Sequence, residues 1–259
     1  MANPETFTVR YLGGPSALLD YGGVTILVDP TFDPPGDYPI GERVLTKTAG
    51  PALSAEEVDA VDVVLLSHDQ HPDNLDRAGR DYVDTARLVL STRSAEDRLG
   101  GAVLGLPNWV SQEFDRPSGG TALVTGVPAL HGPEGSEPVV GEVTGFVLTG
   151  EGLPTVYVSG DNASLDLVRE IAARYAPVDV ALLFAGGART PLLDFAYLTL
   201  TSAEAAQAAT ILRAGAVVPL HFEQWAHFSE GGEQLQAAFA AAGQSDQLHL
   251  LKPGETASF

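Results

Sequence analysis

Four short apolar runs, far apart in the chain, each stop at or just before a histidine or an aspartate. Val63-Val64-Leu65-Leu66 precedes His68, and Val127-Pro128-Ala129-Leu130 precedes His131. Val156-Tyr157-Val158 precedes Gly160-Asp161, and Val217-Val218-Pro219-Leu220 precedes His221. Short apolar runs bounded by turn residues read as buried strands. For His131 or His221 alone, a buried core histidine is an equal reading. The same placement repeated four times argues instead for one site at one rim of a sheet assembly. Neutral imidazole and carboxylate suit zinc, iron and manganese.

The densest of these strand ends is Ser67-His68-Asp69-Gln70-His71-Pro72-Asp73-Asn74-Leu75-Asp76. Pro72 disfavours the α region for His71, so the cluster is expected on a loop, which can turn several side chains toward one point. Turns are rich in Asp and Asn anyway. Two of the chain's 6 histidines fall within four positions here, and that tips the reading toward a metal loop.

A chain of 259 residues suits a single domain over 1–259 with a sizeable core. The formal charge of −20 disfavours nucleic acid, because a uniformly acidic surface repels phosphate. No apolar run approaches the length of a membrane span, and Met1 to Thr6 carries no signal-peptide pattern. The expectation is a cytoplasmic protein with a small-molecule substrate, no membrane partner, and homo-oligomerisation left open. The absence of cysteine excludes disulfides, thiolate zinc sites and cysteine nucleophiles. Ser67 and Ser159 lie outside any Gly-x-Ser-x-Gly, which sets serine hydrolysis aside.

Strands are expected over 7–12, 16–21 and 24–28, with Gly22-Gly23 turning a hairpin. Residues 30–53, rich in Pro and Gly, read as a long irregular loop. Ser54-Ala55-Glu56-Glu57 reads as the capping box of a short helix. Further strands are expected at 87–91, 122–130, 143–148, 155–158, 179–184, 216–220 and 247–251. Helices are expected near 94–99, along the apolar stripe of Leu167, Val168, Ile171, Ala172 and Tyr175, after the capping box Thr201-Ser202-Ala203-Glu204, and before Gly243.

Taken in order, these motifs resemble the metallo-β-lactamase fold superfamily, whose first metal loop reads His-x-His-x-Asp-His. Within it the chain is most similar to the ascorbate-6-phosphate lactonase-like branch, where that loop often reads His-Asp-His-His-x-Asp-Asn-Leu-Asp. Pro219 to Phe228 also looks like that branch. The resemblance implies an α/β (α+β) fold, a four-layer αβ/βα sandwich with its site at one edge between two sheets. It implies one or two divalent metal ions, zinc foremost, with manganese or iron as alternatives. By matched position His68, His71 and His131 form the first metal site, and Asp73 and His221 the second. Asp161 bridges them or serves the second ion, and Asp29 supports the metal loop. Gln70 stands where the branch often has histidine, and Asn74 where the wider family has its last loop histidine. The extra residue between His68 and His71 leaves the assignment of ligand positions open.

The activity implied is hydrolysis of a small-molecule ester, lactone or related bond by a metal-bound hydroxide, with Asp73 as the catalytic acid–base group. The alternatives are a phosphodiesterase on the same fold and a non-catalytic binding protein with a degenerate metal site. Trp225 and His227 are candidates for the substrate pocket or for support of the ligands. Arg189 reads first as a surface residue and second as a partner for an anionic substrate group. His249 reads as structural. Loops 30–53 and 185–200 are expected to shape the pocket.

Overall fold

The computed structural model describes residues 7–41 and 43–259. The chain opens with an antiparallel meander of β1 (Phe7–Gly13), β2 (Ser16–Tyr21) and β3 (Val24–Val28). Gly22 and Gly23 join β2 to β3 with φ of 63° and 85°. A two-residue hairpin turn that matches strand twist needs positive φ at both central positions, and glycine adopts it without strain.

After β3 comes a second hairpin, β4 (Gly36–Ile40) and β5 (Arg43–Lys47). The chain then enters β6 (Val63–Leu65), α1 (Arg77–Thr85), β7 (Val89–Ser91), α2 (Arg93–Leu99) and β8 (Val103–Gly105). β3, β6, β7 and β8 pair in parallel, and the first sheet runs β1-β2-β3-β6-β7-β8 from one side to the other.

The second sheet begins with β9 (Ser111–Asp115) and β10 (Thr121–Pro128). The short helix α3 (Glu137–Val140) follows, then β11 (Thr144–Gly150), β12 (Val156–Val158), α4 (Leu165–Tyr175) and β13 (Val180–Phe184). Next are α5 (Ser202–Leu212), β14 (Ala216–Leu220) and α6 (Gly232–Ala241). Its order is β14-β13-β12-β11-β10-β9, with β12, β13 and β14 parallel. A last strand, β15 (Thr256–Ser258), returns to the first sheet against β1.

Period-two alternation sorts the layers. Ile26, Val28, Val63 and Leu65 face inward and join a core with Val124, Phe146, Val158 and Leu182 of the second sheet. Leu27, Val64 and Leu66, one residue out of phase, face the opposite side and pack with Val83 of α1 and Ala95 of α2. Val168 of α4, Ala205 of α5 and Leu235 of α6 cover the second sheet. The result is helix, sheet, sheet, helix, the four-layer sandwich expected. Each fully buried Val, Leu or Ile contributes roughly 1.5–3 kcal/mol, so both β6 faces anchor the loop that follows.

Several expected elements differ. The 30–53 segment is not irregular throughout, because it contains β4 and β5. The Ser54 box forms its side-chain bond, with Ser54 N–H donating to Glu57 Oε2 at 2.8 Å, yet only one turn follows. Residues 247–251 form no strand, only a single bridge between Leu248 and Val217 after the 3-10 helix at 245–247, and the last strand lies later, at β15. His249 donates its backbone N–H to Val217 O at 2.8 Å and packs on Phe259, a structural role. Helix α1 had no clear signal, because its cap, Asp76, reads equally as part of the metal loop. Among the described residues no helix is long and apolar enough to cross a membrane.

Candidate metal centre

β12 and β14 run parallel, and β10 runs the same way because β11 lies antiparallel to both β10 and β12. His131, Asp161 and His221 therefore emerge at one sheet edge, beyond the carboxyl ends of their strands. β6 delivers Ser67 and His68 to the same place from the first sheet. Gly160 marks the seam. Its φ is +56°, and a Cβ there would lie 2.7 Å from Thr144 O and 2.9 Å from Ser67 Cβ. No side chain fits, so the two strand ends close directly on each other.

Asp29, at the end of β3, holds the loop from beneath. Its backbone is left-handed, φ 35°, a strained conformation for a residue with a side chain. Oδ1 accepts from Ser67 N–H at 2.6 Å, and Oδ2 accepts from Ser67 Oγ–H at 2.6 Å and from Asn74 Nδ2 at 3.0 Å. Burial pushes its carboxyl up to about 7 against these three donors. Ser67 Oγ gives its one proton to Asp29, so at 3.0 Å from His68 Nδ1 it accepts. The His68 proton is thereby fixed on Nδ1, and the Nε2 lone pair faces the site. His131 is set the same way, since Nδ1 lies 2.9 Å from the carbonyl of Leu198, which can only accept.

Three ring nitrogens converge. His68 Nε2 lies 3.0 Å from His71 Nδ1, and His131 Nε2 lies 3.3 Å from that same atom. Burial, reinforced by the neighbouring imidazoles, pushes His68 well below the usual range and His131 down to about 3. Neutral imidazoles that aim lone pairs at one another repel unless a cation sits among them. Two nitrogens on a tetrahedral zinc, at about 2.0–2.1 Å each, stand about 3.3 Å apart. The His131–His71 pair has that spacing, and the His68–His71 pair, at 3.0 Å, is slightly closer.

Asp161 joins this triad within 4.8 Å, and it also belongs to a second cluster with Asp73 and His221. His221 Nδ1 is 3.2 Å from Asp161 Oδ1, and its Nε2 is 3.2 Å from Asp73 Oδ2. The backbone of His221 is left-handed, φ 56°, and its N–H donates to Gly14 O at 2.7 Å. Asp73 Oδ1, Asp161 Oδ2 and both His221 nitrogens are buried without a hydrogen-bond partner. Burial, then the charges of Asp73 and Asp29, push the Asp161 carboxyl well up. No Lys or Arg among the described residues pairs with Asp29, Asp73 or Asp161. Buried carboxylates without a counter-charge are costly unless they coordinate a cation. These donors fit divalent metal ions.

The sequence-predicted residues separate into groups. His68, His71, His131, Asp161, Asp73 and His221 come together. Asn74 joins Asp29 to Asp161, donating to Asp161 Oδ1 at 3.3 Å. His227 Nε2 lies 3.0 Å from Asp73 Oδ2. Trp225 is buried, 3 % exposed, and packs against Tyr38 and His227 without lining the cavity. Gln70 packs its amide against Gly141. Two loop aspartates serve the fold: Asp69 pairs with Arg98, and Asp76 caps α1.

Three further contributors had no local signal. They are Ser67 as the link to His68, the Leu198 carbonyl behind His131, and Arg43 on the cavity wall. The cavity over the clusters draws walls from both expected loops, through Ile40, Arg43 and Leu45 on one side and Ala188, Arg189 and Thr190 on the other. A roomier cleft lined by Leu130, Pro133, Glu137 and Asp166 contains none of the clustered side chains.

The family profile described as beta-lactamase superfamily domain matches residues 24–222. The chain belongs to the metallo-β-lactamase superfamily of metal-dependent hydrolases. The superfamily, and not the lactonase-like branch within it, is what the match carries. A UPF0173 metal-dependent hydrolase of Pyrococcus abyssi is 27% identical over 252 residues, covering 95% of this chain and 97% of that protein. The crystal structure of isothiocyanate hydrolase from Delia radicum gut bacteria superposes with a TM-score of 0.81 at 19% identity, covering 97% of this chain and 98% of that one. Igni18, a metallo hydrolase from Ignicoccus hospitalis, gives 0.73 at 23% identity over 98% of both chains. At these identities the structural likenesses speak to the fold, and the site rests on this chain's own geometry.

Proposed function

We propose that this superfamily hydrolase cleaves an ester, lactone or related acyl bond of a small molecule at the paired clusters. The observation that carries the reading is the sharing of Asp161 between two convergent groups of candidate ligands. His68, His71 and His131 would hold a first ion, Asp73 and His221 a second, and Asp161 both. Zinc suits the imidazole-rich set, and manganese or iron suits the one with more oxygen. A bound divalent ion lowers the pKa of water from about 16 to about 7 and polarises the bond to be cut.

The chain's own groups do the rest. His227 Nε2 bonds Asp73 Oδ2 and so leaves the partnerless Oδ1 to take the proton of the attacking water. Burial raises the Asp73 carboxyl, but His227 and His221 outweigh it and hold it well below the usual range. Asp73 is thus held ionised. Asp29, Ser67 and Leu198 keep His68 and His131 in one tautomer, which fixes where their lone pairs point. A degenerate binding protein fits less well, because six candidate ligands still converge in two groups despite Asn74.

Elemental analysis of protein purified without chelator tests the reading. One or two zinc, manganese or iron ions per chain are expected, lost in His68→Ala, together with turnover of lactones or aryl esters. A site that stays empty after reconstitution would overturn it. Ser67→Ala should weaken metal binding by about 10–100-fold, the usual cost of losing support behind a ligand. Competition with a chromogenic chelator measures it, and unchanged affinity would remove Ser67 from the relay.

A further inference from the structure

The wall of the metal cavity inverts the charge balance of the chain. The protein has 34 acidic residues against 14 Lys and Arg. Yet the cavity over the clusters is lined by two arginines, Arg43 and Arg189, and among the described residues its one carboxylate is Asp73, already committed to the candidate ligand set. Elsewhere Lys47, Arg93, Arg98 and Arg169 pair with carboxylates, while Arg77 and Arg174 lie over the Tyr38 and Trp109 rings. Among the described residues neither Arg43 nor Arg189 has a carboxylate partner, and each is held by neutral groups. Arg43, half-buried, donates from Nη1 to Thr190 Oγ1 at 2.8 Å. Arg189, exposed, stacks its guanidinium over Tyr197 at 4.4 Å and points Nε at Ser229 Oγ, 3.4 Å away.

The two arginines line one cavity from its two sides: Arg43, on β5, reaches across to bond Thr190, the residue after Arg189 in the loop that follows β13. The cavity that Arg43 and Arg189 line also holds His71, Asp73 and His131, so the charge lies close to the ligands. Ile40, Leu45, Val140 and Leu198 supply apolar wall. A neutral substrate would leave the two guanidinium groups to solvent and gain nothing from them. An oxyanion meets them with charge-assisted bonds, bidentate at a planar fork.

We propose that the substrate is a small organic anion: Arg43 and Arg189 hold a carboxylate or phosphate at one end, the apolar wall takes a short hydrocarbon body, and the acyl bond lies over His71 and Asp73. The assignment rests on the hydrolase reading for its acyl bond and on the arginines alone for its anion. The reaction consumes one water: its oxygen forms the new bond to the acyl carbon as the bond to the leaving oxygen breaks. One water proton goes to the leaving group, and the other is released from the new acid.

A matched pair of esters tests it. Mono-para-nitrophenyl glutarate carries a free carboxylate, and para-nitrophenyl valerate is the neutral ester of equal chain length. With the metal-reconstituted full chain, kcat/KM should favour the glutarate ester by about tenfold or more, the effect of 1.4 kcal/mol. That ratio should fall toward one in the Arg43→Gln, Arg189→Gln double variant, and the corresponding lysine pair should retain part of it. Arg189→Gln alone alters an exposed side chain, leaves the Arg43–Thr190 bond in place, and should lower the ratio by itself. Equal rates for the two esters, or a ratio that survives the double variant, would overturn the proposal.

Should neither ester turn over, the acyl-hydrolase reading fails and calorimetric titration decides the anion question by itself. Glutarate and inorganic phosphate are titrated into the wild type and the double variant. At least tenfold weaker binding in the variant supports the arginine site, and the tighter of the two anions identifies the oxyanion. Affinity equal in both proteins, or no binding to either, overturns it.

Discussion

Asp73→Ala should lower kcat by at least about a thousandfold while the melting temperature of the metal-free protein moves by less than about 4 °C. The two halves of this expectation have different causes. Loss of a positioned acid–base group costs about 10²–10⁴ in rate, and here the same side chain also belongs to the second donor set. Stability changes little because two effects oppose. The substitution strips His221 Nε2 and His227 Nε2 of a neighbour at 3.2 and 3.0 Å. It also removes one buried carboxylate from beside Asp161, whose own carboxyl burial and the Asp73 charge push well up. A net change near 1 kcal/mol corresponds to roughly 2–4 °C in a protein of this size. Steady-state kinetics and calorimetry on the same preparation check both. Full activity in Asp73→Ala would remove Asp73 from the mechanism, and collapse of the metal-free protein would make it a folding residue. Asp73→Asn keeps the shape, loses the charge, and should be nearly as slow.

What the sequence made legible follows from how local each cause is. The four strand-end ligands were readable because a buried strand and the polar group that stops it are adjacent in the chain. Thr201 and Ser54 show the limit of such reasoning. Both begin a Ser/Thr-x-x-Glu box, and in both the glutamate side chain reaches back to the cap backbone. After Thr201 comes an alanine-rich stretch with room for eleven residues of helix, packed against α4 and α6. After Ser54 the chain must begin β6 at Val63, and Val58 and Val61 are buried on the way, so the turn does not propagate.

The β4–β5 hairpin was hidden for another reason. Gly36, Pro39 and Gly41 are residues that ordinarily break strands, and the pairing is stabilised from outside, by Tyr38 against Trp225 and by Lys47. Supports behind the ligands were illegible in principle. Leu198 is 67 positions from His131 and acts through its carbonyl, which every residue has. Arg43 and Thr190 meet across 147 positions. No spacing rule encodes such pairs, because only the folded sheets bring them together.

The hairpin's anchor yields the largest stability effect expected in the molecule. Lys47 Nζ and Asp76 Oδ2 are 2.8 Å apart with both side chains fully buried. Burial pushes the Lys47 ammonium down, and Asp76 opposes that shift. Asp76 carries more than the ion pair. Its Oδ1 accepts from Phe32 N–H at 2.9 Å and Gly79 N–H at 2.8 Å, and its Oδ2 from Asp33 N–H at 2.7 Å. Among the described residues the Lys47 ammonium leans only on Asp76, on the Thr31 carbonyl at 3.1 Å and on the Trp225 ring. Breaking a buried pair from one side costs about 3–5 kcal/mol, because an uncompensated charge stays behind.

The two single variants should therefore differ. Asp76→Ala strands a buried ammonium and three backbone N–H groups, one of them the Gly79 N–H that Asp76 caps in α1, so a loss of about 5 kcal/mol or failure to fold is expected. Lys47→Met leaves Asp76 with its three backbone donors and should cost clearly less. The double variant should be no less stable than Asp76→Ala alone, since the ammonium with no partner is gone. Urea unfolding of the three proteins measures the coupling. Equal cost for the two single variants, or strict additivity in the double, would show that the pair does not act as one unit. Because residues 46–48 also bond the 224–226 segment that leads into His227, with Thr48 N–H donating to Gln224 O at 2.7 Å and Ala226 N–H to Thr46 O at 3.0 Å, metal affinity should fall along with stability. The ion pair then ties the hairpin, the metal loop and His227 into one folding unit.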